Sequence, residues 1–167
     1  NEGGKYRTTE GVDIAAVAGA GNGYMLGWAK AGEWLEYTVN VAVSGTYALE
    51  VRYSALGSGG QIRVLVDGAD RTGAMALPNS GSWTSYRLTG ALPVELTSGS
   101  HTVRVALVAA GTSGYVGIFD WFRFSATAGK AARVQVPGTK SLAASETGVP
   151  VAWARDWQSG SVLAPEV

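Results

Sequence analysis

Chemistry in this chain would have to come from a single histidine, a scatter of carboxylates and a set of aromatic rings. His101 opens the run HTVRVALV directly after the turn TSGS, on the parity of Val103 and Val105, and nothing beside it supplies a nucleophile for it to activate. It reads as a structural histidine at a strand end. Glu36 and Glu50 lie on the polar parities of two different runs, and a glycosidase needs two carboxyl groups held across a scissile bond. Outward carboxylates of this kind read as a solvated face. The segment VAGAGNGYMLG, residues 17–27, is rich in glycine but has no Gly-Lys-Ser/Thr ending and leads into no helix, so it does not make a phosphate loop. No His/Asp cluster suits a metal, and the absence of cysteine removes thiolate sites and disulfides. Catalysis is not expected.

The aromatic residues carry more information. From Trp34 onward Leu35, Tyr37, Val39 and Val41 alternate with Trp34, Glu36, Thr38 and Asn40, as in a strand with one face on a core. Trp34 belongs to the polar set, and so does Trp83 if SWTSYRL is a strand with Tyr86 and Leu88 inward. Trp28 and Tyr115 each follow a glycine in loop-like positions. Tyr37, Tyr47, Tyr53, Tyr86 and Trp121 fall on apolar parities or in a doubly apolar run and are expected in the core. Four out-of-pattern rings suit a ligand with an apolar face and a polar edge, which is the chemistry of a sugar. Covering roughly 100 Å² of apolar surface per ring, at about 25 cal/mol per Å², contributes about 2.5 kcal/mol each. Two or three such faces, less the cost of immobilisation, give affinities on the order of millimolar to micromolar.

The elements that would position these rings are short strands. SGTYALEVRYS, QIRVLVDG, SWTSYRL, HTVRVALV and YVGIFDWFRFS follow the first run, separated by the turn signals VSGTY, LGSGGQ, VDGAD and TSGSH. With 24 glycines, 16% charged residues and no helical periodicity of useful length, the pattern predicts an all-β fold, an antiparallel β-sandwich. The 167 residues suit one domain over residues 1–125 and an extension over 126–167 that loses the turn spacing and carries Trp153 and Trp157. Thirteen basic and thirteen acidic residues cancel, so neither nucleic acid nor an anionic membrane is an expected partner, and no apolar run reaches membrane-spanning length.

In order, YRTTEGVDI, GYMLGWAKAGEWLEYTVNVAVSGTYALEVRYS, VDGADRTGAMALPNSGSWTSYRL, SGSHTVRVAL and IFDWFRFS resemble the blocks of carbohydrate-binding module family 6 over about residues 5–125. The Gly-Glu-Trp-Leu-Glu-Tyr strand entry and the Gly-Thr-Tyr turn carry the resemblance most specifically. It implies a galactose-binding-like, lectin-like jelly roll that binds polysaccharide or oligosaccharide, is secreted, and is appended to a glycoside hydrolase. It also implies two clefts: one between the end loops, with Trp28 and Trp83 as a stacking pair and Tyr115 as an accessory wall, and one on the concave sheet face, with Trp34 as platform beside Glu36 and Glu50. Ala15, Met25 and Ile118 stand where the family favours a glutamate, an amide and an asparagine, which depletes the polar anchoring of the end-loop cleft.

The resemblance further implies a structural calcium, for which Asp120 is the matching ligand, helped by carbonyls of the RTTEG loop. One carboxylate is thin for an ion that takes six to eight oxygens. The family's first strand, with its Glu-Ala-Glu motif, has no counterpart here, and a sheet edge left bare is a liability. AARVQVPGTKSLAAS is read as an extended segment that replaces it, pairing within the chain or with a second copy to make an oligomer. A rival expectation is an adhesion or assembly sandwich using the same rings as a protein interface, which Ala15, Met25 and Ile118 favour.

Overall fold

The computed structural model describes Gly3, residues 13–21 and 23–127, and the backbone of Val134–Gln135. Among these residues every regular element is a strand. They are β1 (Ile14–Ala16), β2 (Tyr24–Leu26), β3 (Trp34–Val41), β4 (Gly45–Ser54), β5 (Gly60–Val66), β6 (Ala69–Asp70), β7 (Met75–Leu77), β8 (Arg87–Leu88), β9 (Leu92–Leu96), β10 (Gly99–Ala109), β11 (Ile118–Ala126) and β12 (Val134–Gln135). Two antiparallel sheets result. The first runs β1-β2-β11-β4-β8 with β9 also on β4, and the second runs β12-β3-β10-β5-β6 with β7 also on β5.

Strict alternation produces this sandwich. Leu35, Tyr37, Val39 and Val41 of β3 face Tyr47, Leu49, Val51 and Tyr53 of β4 across one core, with Val103, Val105 and Leu107 of β10 and Phe122 and Phe124 of β11. Each of these side chains is buried, and the outward residues between them are partly or fully exposed. The tyrosine hydroxyls of Tyr47 and Tyr53 reach the rim, donating to the carbonyls of Val43 at 2.7 Å and Pro78 at 3.2 Å.

The hydroxyl of Tyr37 does not reach the rim. It is buried beside Phe122, has no hydrogen-bond partner among the described residues, and its ionisation is pushed far upward by desolvation. A buried unpaired hydroxyl costs about 1–3 kcal/mol. Tyr37→Phe is therefore expected to raise stability by about 1 kcal/mol, seen as a higher denaturant midpoint at unchanged slope; a lower midpoint would show that the hydroxyl is satisfied.

Three inward expectations are corrected. A bulge between Phe119 and Trp121 buries Phe119 and Asp120 in succession, so the inward parity passes to Phe122 and Phe124 and Trp121 turns half outward beneath the guanidinium of Arg123. SWTSYRL is not a strand along its length. Only Arg87–Leu88 pairs, Leu88 is 51% exposed, and Tyr86 is half-buried under Arg52 on the outer face of the first sheet.

On β3, β12 lies along the edge opposite β10, with Val134 in register with Val41 and Gln135 with Asn40. The remainder of the extension with Trp153 and Trp157, the first-strand position and the RTTEG carbonyls lie outside the described residues.

Candidate functional site

Three loops converge at one end of the sandwich. Trp28 lies between β2 and β3 with φ of 50°, a left-handed conformation that non-glycine residues adopt at a cost of about 1–3 kcal/mol. The surrounding chain holds it there: Ala29 O accepts the N–H of Val116 at 2.8 Å, and Gly27 N–H donates to Asp13 O at 2.9 Å. Trp83 sits in a turn after β7, and Ser54 Oγ, fully buried at the end of β4, donates to its carbonyl at 2.7 Å. Buried Ser80 ties the same loop to both the N–H and the C=O of Ala55. Tyr115 closes the turn after β10, where Gly111 N–H donates to Tyr115 O at 2.8 Å.

These rings enclose a cleft of about 250 Å³ lined by Met25, Trp28, Trp83, Tyr115, Gly117 and Ile118. Trp83 and Tyr115 meet edge to face, with centroids 6.1 Å apart and planes at 83°, so Tyr115 forms a corner with Trp83 and not a second parallel plate. The floor is apolar. A Cβ on Gly27 would lie 2.9 Å from the Sδ and Cε of Met25, so the thioether rests on bare backbone there. A Cβ on Gly117 would press to 3.2 Å on Ser54 O and 3.3 Å on Leu77 Cδ1. Gly117, Ser54 and Ser80 were not apparent as site or positioning residues from sequence; the glycine inside the apolar run YVGIF was the one available signal.

Trp34 and Glu36 are elsewhere, on the outer face of the second sheet. The Arg104 guanidinium lies 5.2 Å from the Trp34 ring centroid and pairs with Glu36 at 2.5 Å, directly across the β3–β10 ladder. Glu50 does not join them. β4 belongs to the first sheet, so Glu50 faces outward on the opposite side of the sandwich and pairs there with Arg123. Its assignment to the face of Trp34, and any carboxylate pair with Glu36, are corrected on that ground.

Asp120 is buried at the β11 bulge. Its carboxylate takes an ion pair from Arg52 and the N–H of Gly21, at 2.9 and 3.1 Å to its two oxygens. Arg52 donates on to Gly19 O at 3.1 Å. Among the described residues no three acidic or histidine side chains gather to hold a metal ion, and the one carboxylate expected to bind calcium is occupied by a guanidinium. The RTTEG carbonyls of the expected set lie outside the described residues.

His101 is bonded on both ring nitrogens to acceptors, Nδ1 to Asp67 Oδ2 at 2.6 Å and Nε2 to Thr97 O at 2.8 Å. A carboxylate and a carbonyl beside the two ring nitrogens favour the protonated imidazole, which works against a general base. The hydrogen bond to Asp67 raises its pKa from 6.5 against a smaller desolvation penalty, and the same bond lowers that of Asp67 from 3.8, with help from the Thr102 N–H. The histidine's contribution is complete below its unfolded value and is lost as pH rises through the raised one; the aspartate's is complete above its unfolded value and is lost as pH falls. Wild type should therefore exceed His101→Gln in melting temperature most near pH 5–6, with the gap narrowing toward pH 9. A gap independent of pH would rule the charged pair out.

A family model described as carbohydrate binding module (family 6) matches residues 2–126. The module of lichenase 5A from Cellvibrio mixtus, solved with cellotriose, shares 28% identity at a TM-score of 0.60, covering 70% of this chain and 88% of that one. A β-1,3-glucan-binding family 6 module from Bacillus halodurans shares the fold at 23% identity and a TM-score of 0.59, over 70% and 87% of the two chains. An isomaltosyltransferase of Sporosarcina globispora is 33% identical over 86 residues, which are 52% of this chain and 8% of that enzyme's length.

Proposed function

Because the chain belongs to carbohydrate-binding module family 6, we propose that it grips a polysaccharide or oligosaccharide in the end-loop cleft by stacking on Trp28 and Trp83, with Tyr115 as the corner wall, and performs no reaction on it. The observation that carries this reading is the convergence of three rings from three loops far apart in sequence on one cleft. A pyranose offers each ring an apolar C–H face, and the small volume suits one sugar unit better than several. Affinity so limited is useful when a neighbouring enzyme shares the chain and benefits from proximity. The isomaltosyltransferase that matches over a small part of its length motivates a carbohydrate-active partner domain, a hydrolase or a transferase, working outside the cell where polysaccharides are met.

Electrophoresis through gels containing xylans, β-glucans, agars, α-glucans or chitosan tests this. Retardation by at least one glycan is expected for wild type, lost in Trp28→Ala and Trp83→Ala and kept in Trp34→Ala. Loss in Trp34→Ala alone would move the site to the outer face of β3. No retardation by any glycan, with a mass that rises with concentration, would replace the reading with an assembly interface.

A further inference from the structure

The floor of the cleft says what kind of sugar unit it accepts. None of its six lining residues carries a carboxylate, an amide or a cation, and the polar atoms their side chains do have, two indole N–H groups and a phenol, belong to the three ring residues. The backbone of the two floor side chains lies within the ladders, Met25 in register with Ala15 in β1 and Ile118 with Ser54 in β4. A ring edge bearing free hydroxyls, seated against the Met25 thioether and the Ile118 side chain, would lose its water and find no donor or acceptor in return. A methyl group in the same place loses nothing and fits a polarizable, adaptable surface.

Resting on the reading of the cleft as a sugar site, we infer that it selects units presenting a methyl group to the Met25–Ile118 floor, as an O-acetyl, an O-methyl or the C6 methyl of a 6-deoxy sugar. All three share one chemistry, a terminal methyl group. The stacking rings hold the faces of the unit, and the floor reads the substituent.

Matched probes separate the two claims. Acetylated xylan against the same xylan after alkaline deacetylation, a β-glucan before and after O-methylation, and L-fucose against L-galactose are each titrated calorimetrically into wild type. One group of that size in an apolar pocket is worth about tenfold or more in affinity, so the substituted member of at least one pair should bind about tenfold tighter, and which pair does so identifies the source of the methyl. Ile118→Asn, alone and with Met25→Gln, should bring the two members level or reverse their order. Ile118 is only half-buried, and the wild-type ratio needs no variant at all. Equal or tighter binding of the unsubstituted member in every pair that binds overturns the inference and leaves the sugar site standing. Retardation by no glycan of the panel, or retardation that Trp28→Ala and Trp83→Ala leave unchanged, removes the sugar site and the inference with it.

Discussion

Trp83→Ala weakens glycan binding about 60-fold while leaving the melting temperature within about a degree or two, because the ring contributes roughly 2.5 kcal/mol of stacking and each 1.4 kcal/mol is tenfold in affinity. The separation of the two effects follows from how the loop is built. What Ser54 and Ser80 hold is backbone: the carbonyl of Trp83 and the peptide groups of Ala55. Alanine keeps all of these, and the lost indole is a half-exposed side chain that lies outside the continuous core. Trp28 behaves differently. Its left-handed backbone is strained in any L-residue, so Trp28→Ala keeps the strain and loses the ring, whereas Trp28→Gly loses the ring and releases the strain. The glycine variant should therefore bind no better than the alanine variant yet melt higher. Calorimetric titration with whichever glycan retards wild type, alongside thermal melts, reads both; a Trp83→Ala protein that binds within a factor of three of wild type would remove the stacking role.

The strands that were legible in sequence are those whose alternation is uninterrupted. β3, β4 and β5 bury every second residue along their length and β10 does so from Val103 to Leu107, and no local feature competes with that period there. What stayed hidden was the part of the fold that local pattern cannot encode. A one-residue bulge at Asp120 reverses parity within β11, and the sequence IFDWFRFS, apolar on both sides of the bulge, gives no sign of where it falls. The turn after Val41 announces that the chain reverses, but not that β4 crosses to the other sheet, and so Glu36 and Glu50 look like neighbours when they lie on opposite surfaces. Trp83 stands in a turn, not on the polar face of a strand that the parity of SWTSYRL suggests. Its position in the family's NSGSW block was the sounder signal. Trp28, Trp83 and Tyr115 do line one cleft, with Met25 and Ile118 beneath them, and that grouping came from the resemblance where parity alone supplied four unconnected rings.

Asp120→Ala is expected to cost the fold about 3 kcal/mol, the low end for breaking a buried ion pair. The carboxylate is 1% exposed and the Arg52 side chain 27%, so the abandoned guanidinium regains part of its hydration and the full penalty is not reached. Two further losses come with it. Gly21 N–H gives up both of its acceptor oxygens, and the loop closed by the Val17–Gly23 and Gly23–Ala20 backbone bonds loses its attachment to β11. A drop of roughly 10–15 °C in melting temperature follows for a domain of this size, with faster hydrogen exchange at Gly21 and Gly23 preceding global unfolding. A double variant and chelation discriminate between two cations as the partner of Asp120. With Arg52 as the partner, Asp120→Leu combined with Arg52→Met should recover most of the stability, since an apolar pair of similar volume replaces a buried ion pair at little cost, and EDTA should leave the wild-type melting temperature where it was. With a divalent ion as the partner, the double variant would stay as unstable as Asp120→Ala and chelation would reproduce the damage.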